Sequence, residues 1–365
     1  MIKKLDWYIL RKFFTTFIFC MLAFTILAVA VDSSEKADDF VKTGLSTSQI
    51  WKQYYFGFIP FIWGLMYPLF VFIAVIFFTS KMALRSEVIS ILASGVTYNR
   101  WLRPYFIGGI FFGLILWAAN SFTIPKANEL RSDFQIKYID NNGPQNNQQS
   151  GCWNCFYKRI DAVTYAGIKY FDATTKSANS FFMEKVRSNK VYYNLRADRI
   201  EWDSVKKSWK LQNVVERTID SMKETVTVTP VKNMALNLKP SELLKDDYLK
   251  DKLTSPDLQR FIKLEEQRAT EGLAPLKVEL ARRSSTPFTV LLLTIIGAIL
   301  AGRRTRGGSG LHLAIGIGIA AVFILADRFS TVFAVKSNFS PVLAAWVPNI
   351  LFIIVAFYLY LRAPK

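Results

Sequence analysis

Histidine is almost missing from this chain, with one in 365 residues, and only three cysteines accompany it. A His-based metal centre or a Ser-His-Asp triad needs ring nitrogens that are barely present, so both are poor readings. Neither H-E-x-x-H nor G-x-S-x-G occurs. The phosphate loop G-x-x-x-x-G-K-[ST] is also absent, so this chain is not expected to hydrolyse ATP itself. Acid is scarce: 28 Asp and Glu stand against 46 Lys and Arg, a net charge of +18. That balance suits an anionic ligand or a membrane surface. Cytoplasmic loops of membrane proteins also collect Lys and Arg without any special ligand. What the chain has in plenty is apolar: 51% hydrophobic and 15% aromatic. That is too much for one soluble domain, and 20% charged is too much for a wholly membrane-buried one.

Six apolar runs stand out: 13–31, 54–80, 105–124, 288–301, 311–326 and 342–361. A bilayer core of about 30 Å takes about 20 helical residues. The fourth run is short unless its helix begins near Val278, with Arg282 and Arg283 at the interface. The small residues of "AVAVDSSEKADD" would allow signal-peptide cleavage, but the Phe-rich first run favours a retained span. Lys81, Arg85, Arg100 and Arg103 follow run two, Arg303, Arg304 and Arg306 follow run four, and Arg362 and Lys365 follow run six. The positive-inside rule puts these, and both termini, in the cytoplasm. The long gap between runs three and four is then an external domain. "RIDAVTYAGIKYFD", "RIEWD", "SWKLQNVVERTID" and "ETVTVTPV" read as strands. "SPDLQRFIKLEEQRATEG" reads as a helix with Ser255 as its cap, Pro256 in the first turn and a Gly stop. The expected organisation is 1–125 with spans one to three, 126–254 as a β domain, and 255–365 with a connecting helix and spans four to six.

"SEVISILASGV", between spans two and three, is a short amphipathic helix rather than a plain connector. Val88, Ile91 and Leu92 form its apolar side. With Arg85 and Glu87 it makes a cytoplasmic element that either lies in the lipid interface or docks on a partner. Glu87 favours docking, because an acid gains nothing beside an anionic leaflet. At the outer boundary, Lys36, Lys277, Arg282, Arg283 and Arg328 are either depth anchors or ligands for lipid phosphates. Cys152 and Cys155 form a C-x-x-C pair. A local disulfide is favoured there by an oxidising compartment, ahead of two free thiols and of redox catalysis. Cys20 lies in an apolar run and packs as a small hydrophobe. His312 reads as a packing residue.

"LDWYILRKFFTTF", "SKMALRSEVISILASGVTYNRWLRP", "IPKAN", "TSPDLQRFI" and "VELARRSSTPFTVLLLTIIGAILAG", in this order, resemble the LptF/LptG (YjgP/YjgQ) lipopolysaccharide-export permease family, with a slight leaning to LptG. The resemblance spans nearly the whole chain. It implies six transmembrane helices with a periplasmic β-jellyroll inserted between spans three and four, in a multi-pass protein of a Gram-negative inner membrane. It implies a heterodimer with an LptF- or LptG-like paralogue, an LptB-type ATPase dimer that supplies the energy, and an LptC and LptA bridge that receives lipopolysaccharide. No cofactor and no nucleic acid are implied. By the same match Glu87 and its neighbours form the coupling helix and sit in an LptB groove. The family's basic residues inside span one are unmatched, since Val29 and Ala30 are apolar, and the Cys152–Cys155 element is foreign to the pattern. A secondary transporter or a lipid-modifying membrane protein is the alternative. The first would need ionisable groups at mid-membrane, the second clustered carboxylates or His.

Overall fold

The computed structural model describes residues 3–140 and 156–363, apart from 173–174, 188–189, 205, 221–222, 237, 239, 241–247, 269–271, 304–307 and 338. Two compact units emerge. One holds Met1–Asp140, Lys250–Gln259 and Ala274–Lys365; the other holds Asn141–Leu249 and Arg260–Leu273. Cys152 and Cys155 lie outside the described residues.

The first unit is helical. Its elements are α1 (Lys4–Glu35), α2 (Ala37–Lys42), α3 (Thr47–Ile50), α4 (Phe56–Leu84), α5 (Glu87–Ala93), α6 (Tyr98–Ala118) and α7 (Ile124–Phe134). After the second unit's strands come α8 (Leu249–Lys252), α9 (Ser255–Gln267), α10 (Ala274–Ala301), α11 (Gly308–Lys336) and α12 (Pro341–Leu361). π-helical turns at Trp51–Tyr55 and Ala119–Thr123 join α3 to α4 and α6 to α7. Among the described residues six stretches are long and apolar enough to cross a membrane: Lys4–Glu35, Thr47–Leu84, Tyr98–Asp140, Ala274–Ala301, Gly310–Lys336 and Pro341–Leu361. They outrun the apolar runs because a helix continues through polar residues once its hydrogen bonds are started. At 1.5 Å per residue, α1 is about 48 Å long, well beyond a hydrocarbon core.

Packing explains the order of the bundle. Phe13, Phe17, Phe78, Trp101, Tyr105 and Phe112 are buried in one core shared by α1, α4, α6 and α10. Phe112 meets the Phe13 ring at 4.8 Å and the Phe17 ring at 4.5 Å. Cys20 is buried in the same cluster with a free thiol. Small residues let backbones approach where side chains would separate them. A Cβ on Gly113 of α6 would fall 2.9 Å from the Pro287 carbonyl oxygen of α10. Several polar groups within the spans find partners, as an apolar surrounding favours, although the buried Trp101 indole N–H has none among the described residues. Thr79 and Tyr105 share a 3.0 Å hydrogen bond, and the Thr289 hydroxyl donates to Asn349 Oδ1 at 2.8 Å. The outer side of α1 stays uncovered, with Phe14, Phe19, Leu22 and Ile26 exposed.

Among the described residues the second unit carries seven strands: β1 (Phe156–Arg159), β2 (Thr164–Ile168), β3 (Tyr170–Asp172), β4 (Ser177–Arg187), β5 (Lys190–Asp203), β6 (Ser208–Asp220) and β7 (Lys223–Met234). All pair antiparallel in the order β1-β2-β4-β5-β6-β7, with β3 beside the start of β4. One face is apolar and packed, with Phe181, Leu195, Ile200, Trp209, Leu211 and Val214 buried. The inward alternation breaks at the same level on three neighbouring strands: after Ala178 and before Phe181, after Ala197 and before Ile200, after Leu211 and before Val214. Ser180 and Asn213 have φ near +50° at these breaks, and the Asn213 side chain donates to Asp198 at 3.0 Å. A row of irregularities across adjacent strands bends a sheet while returning each strand's apolar side to the same core.

One expected detail is corrected. The cap of α9 is Thr254 and not Ser255. The Asp257 amide donates to Thr254 Oγ1 at 3.4 Å, and the Thr254 hydroxyl donates to Asp257 Oδ2 at 2.5 Å. Pro256 then falls in the first turn, where its missing N–H costs nothing.

Candidate functional site

The helical unit holds two polar arrangements, one at each end of the bundle. The near end is where α1 begins and α4, α10 and α12 finish. The far end is where α1 finishes and α10 begins.

At the near end, α4 turns into α5 through Ser86, whose φ of 60° is left-handed. The Ser86 amide donates to the Ala83 carbonyl at 3.0 Å, and the Ser90 amide and hydroxyl both return to the Ser86 carbonyl. α5 is thus a short helix held against the bundle by a tight corner. Val88 is buried, and Ile91 and Leu92 pack on the core of α1, α4, α6 and α10. These three back the helix onto its own chain. Its outward side carries Arg85, Ile89, Ser90 and Ala93. Glu87 turns toward α1, where its Oε2 accepts from Lys12 Nζ and from the Tyr8 hydroxyl, each at 2.9 Å. Burial alone would raise the Glu87 carboxyl, but these two donors outweigh it and hold it below its ordinary value. Lys12 lies 4.2 Å above the Tyr8 ring, so the cation is gripped from two sides. Nearby, Arg100 at the start of α6 meets Asp6 through two 2.7 Å hydrogen bonds. The His312 ring is buried and its Nε2 donates to the Arg303 carbonyl at 2.8 Å, a packing role.

At the far end a cavity of 420 Å³ opens among α4, α10, α11 and α12, with Lys250 and Asp251 of α8 in its wall. Arg282, Arg283 and Arg328 line it together with Glu279, Asp327 and Asn349. The three arginines differ. Arg283 is buried and saturated: it donates to the Leu253 and Lys250 carbonyls at 2.7 and 2.9 Å and pairs with Glu279 at 3.2 Å. It fastens the chain returning from the second unit to α10. Arg282 pairs with Asp327 at 3.0 Å and stays half-exposed. Arg328 is exposed and makes no ion pair or hydrogen bond among the described residues. Burial and the neighbouring Glu279 push the Asp251 carboxyl up, against the opposing pull of Lys250, Arg131 and Arg283.

The five basic residues singled out at the outer boundary therefore separate. Arg282, Arg283 and Arg328 come together at the cavity; Lys36 and Lys277 do not line it. Lys36 pairs with Asp32 at 3.1 Å and donates to the Tyr54 hydroxyl, and that hydroxyl donates to Asp32 at 3.0 Å. Sequence reasoning missed Tyr8 and Lys12 as partners of Glu87, and Asp251 and Asn349 as cavity residues. A signal existed for two of these features. Tyr8 and Lys12 are four apart, hence on one helix face. Asn349 is a lone amide inside a long apolar run, where polar groups mark function or contact.

A family model described as the lipopolysaccharide export system permease LptF/LptG matches residues 7–362. No curated protein matches the chain.

Proposed function

The chain belongs to the lipopolysaccharide export permease family LptF/LptG, and we propose that it is one of two permease halves whose work is driven by a separate ATPase docked at its near end. The family's members are transport permease subunits, not enzymes themselves, and this is a multi-pass inner-membrane component of the export system. The near end, rich in Lys and Arg, faces the cytoplasm by the positive-inside rule, and the β unit faces the periplasm.

The observation that carries the reading is α5. It is a seven-residue helix between the second and third spans, with its own apolar side turned inward. What it leaves for a partner is Arg85 and Ile89, the latter 49% exposed. An isolated apolar side chain beside a cation, on a rigid corner, suits a groove on an ATPase of LptB type. The exposed apolar face of α1 suits a paralogous permease chain or lipid, and the two chains together would enclose the cargo.

The cargo's chemistry explains the other parts. Exposing acyl chains to water costs about 0.8 kcal/mol per CH₂, so a covered route is needed. The apolar face of the bent sheet gives the second unit a water-shielded interior of the kind such chains need outside the bilayer. Among the described residues β7 ends the strand order, with Val226 and Val228 exposed. An open edge of this kind accepts a further strand, and the next sheet would be that of an LptC and LptA bridge. Arg282 and Arg328 are the members of the basic set that we assign to headgroup phosphates, because the cavity leaves them accessible.

Purification of the tagged chain in mild detergent tests the reading. A phosphate-loop ATPase should co-elute with the wild-type protein. The double substitution Arg85→Glu with Ile89→Asp should lower its recovery by about tenfold, the scale of losing one good anchor. A wild-type preparation without any such ATPase would sink the proposal.

A further inference from the structure

The two faces of the second unit's sheet differ in chemistry. On the inner face Ala166, Met183 and Leu195 stand side by side on β2, β4 and β5, all buried. Residues between them in sequence point to the outer face, because side chains alternate along a strand. There Tyr157, Gly167, Phe182 and Arg196 form one row across β1, β2, β4 and β5. Arg159, Tyr165, Glu184 and Asn194 form the next row.

Gly167 lets the first row close. β1 and β4 flank β2, so their backbones lie about 9.5 Å apart, twice the strand spacing. The Tyr157 and Phe182 ring centroids are only 6.0 Å apart. The two rings lean together over the one position between them that carries no side chain. Tyr165 stacks on Tyr157 at 5.8 Å and 14°, and Phe182 lies at 28° to Tyr157, so the three rings run nearly parallel. A single ring is enough to cover a glycine in a strand. Three rings, with Tyr157 still 63% exposed, offer more aromatic surface than the sheet itself needs. Polar groups frame them. Arg159 lies 5.3 Å from the Tyr165 ring centroid. Asn194 donates to Glu184 at 2.9 Å, and each of the two has a second oxygen able to accept. Arg196, opposite Phe182, is exposed and makes no ion pair or hydrogen bond among the described residues.

An apolar inner face and an aromatic, polar outer face match the two parts of a molecule made of acyl chains and sugar. Sugar rings can lay their C–H faces on flat aromatic surface and offer hydroxyls to planar polar side chains. An open arginine beside the rings suits a phosphate or carboxylate carried by the sugar. We propose that Tyr157, Phe182 and Arg196 form a saccharide platform on the outer face of the β unit, which holds the sugar part of the cargo while the unit's interior shields acyl chains. Glu184 and Asn194 take hydroxyls at its rim. The platform rests on the export reading above and gives the polar end of that cargo a site of its own.

The lipid-free oligosaccharide released from lipopolysaccharide by mild acid tests this. It is titrated into the detergent-solubilised full chain and followed by saturation-transfer NMR. Wild type should bind it saturably. Tyr157→Ala and Arg196→Met should each raise the dissociation constant by about tenfold, the scale of losing one good contact. Tyr157→Phe keeps the ring and should bind as wild type does. Unfolding temperatures should agree among the four proteins, since both positions are exposed, so a loss of binding is not a loss of fold. Inorganic phosphate should displace the oligosaccharide only in large excess, because it meets Arg196 and not the rings. Absence of saturable binding to wild type would overturn the platform. So would full displacement by equimolar phosphate, which leaves an anion site alone. If Tyr157→Ala keeps the oligosaccharide but loses a co-eluting protein, the face is a protein interface and the platform is wrong. Absence of the ATPase from the wild-type preparation refutes the export reading instead, while the titration still decides the platform.

Discussion

Asp6 and Glu87 at the near end each face cations or hydroxyls at 2.7 to 2.9 Å. At the far end Asp251 has Glu279 for a neighbour, and Arg328 has no partner among the described residues. The two acids of the near end are thus each closed by donors, whereas the far end keeps one acid beside another and one arginine open. Closed charges fix geometry, which suits an end that must transmit a push. Open charges carry the cost of incomplete pairing and lose it when a counter-ion arrives, which suits an end that must accept something anionic.

The largest test of this contrast lies within the far end itself. Arg283→Met removes a buried cation and strands Glu279 and two carbonyls. It should cost about 3 kcal/mol, seen as a large fall in the thermal unfolding temperature of the detergent-solubilised protein. Arg328→Met should stay within about 0.5 kcal/mol of wild type, as an exposed position does. It should instead weaken photo-crosslinking of lipopolysaccharide at the cavity. Equal losses of stability in the two variants would erase the distinction between a fastening arginine and an open one.

That distinction was beyond sequence reading for a plain reason. Arg282 and Arg283 are neighbours in the chain, but successive helix residues point about 100° apart. One therefore reaches Asp327 on α11, while the other turns to the Lys250 and Leu253 carbonyls, in α8 and just after it. The spans themselves were legible, because a run of about 20 apolar residues has few other uses. Their ends were not, since Asp6 and Lys12 look like flanking charge until their partners at Arg100 and Glu87 are known. Much of the sheet was legible from period-two runs. β4 escaped because Ser180 breaks its alternation, and the break has meaning only beside those of β5 and β6. The inward packing of Val88, Ile91 and Leu92 was written in their spacing. What they pack on was not, and that decides whether they meet a partner or back the helix.

A medium effect probes the rigidity of the near end. Ser86 holds a left-handed conformation at φ 60° in the corner before α5. A β-branched side chain resists that region, so Ser86→Val should cost about 1–2 kcal/mol in thermal unfolding. Ser86→Gly should not. If Ser86→Val lowered transport-linked ATP hydrolysis with no change in unfolding temperature, the corner would be a hinge, and the contrast between a fixed near end and an open far end would have to be redrawn.

The smallest effect concerns Asp251, and its sign follows from linkage. Burial and Glu279 raise the carboxyl in the folded protein above its usual value, so the folded state binds the proton more tightly than the unfolded one. Between those two values stability falls as pH rises, and above both the folded protein bears the cost of the ionised group. Lys250, Arg131 and Arg283 pull the other way but do not win. Asp251→Asn removes the charge and leaves intact the hydrogen bond from Asn128 to the backbone carbonyl of residue 251. The variant should be more stable than wild type by roughly 0.5 kcal/mol at neutral pH, the scale of a change outside the core. Its advantage should shrink on acidification, as wild-type Asp251 takes up its proton and becomes neutral too. Thermal unfolding at neutral and mildly acidic pH reads this directly. Parallel pH curves for the two proteins would mean that the far end tolerates its crowded acids without cost, and that its openness is a matter of Arg328 alone.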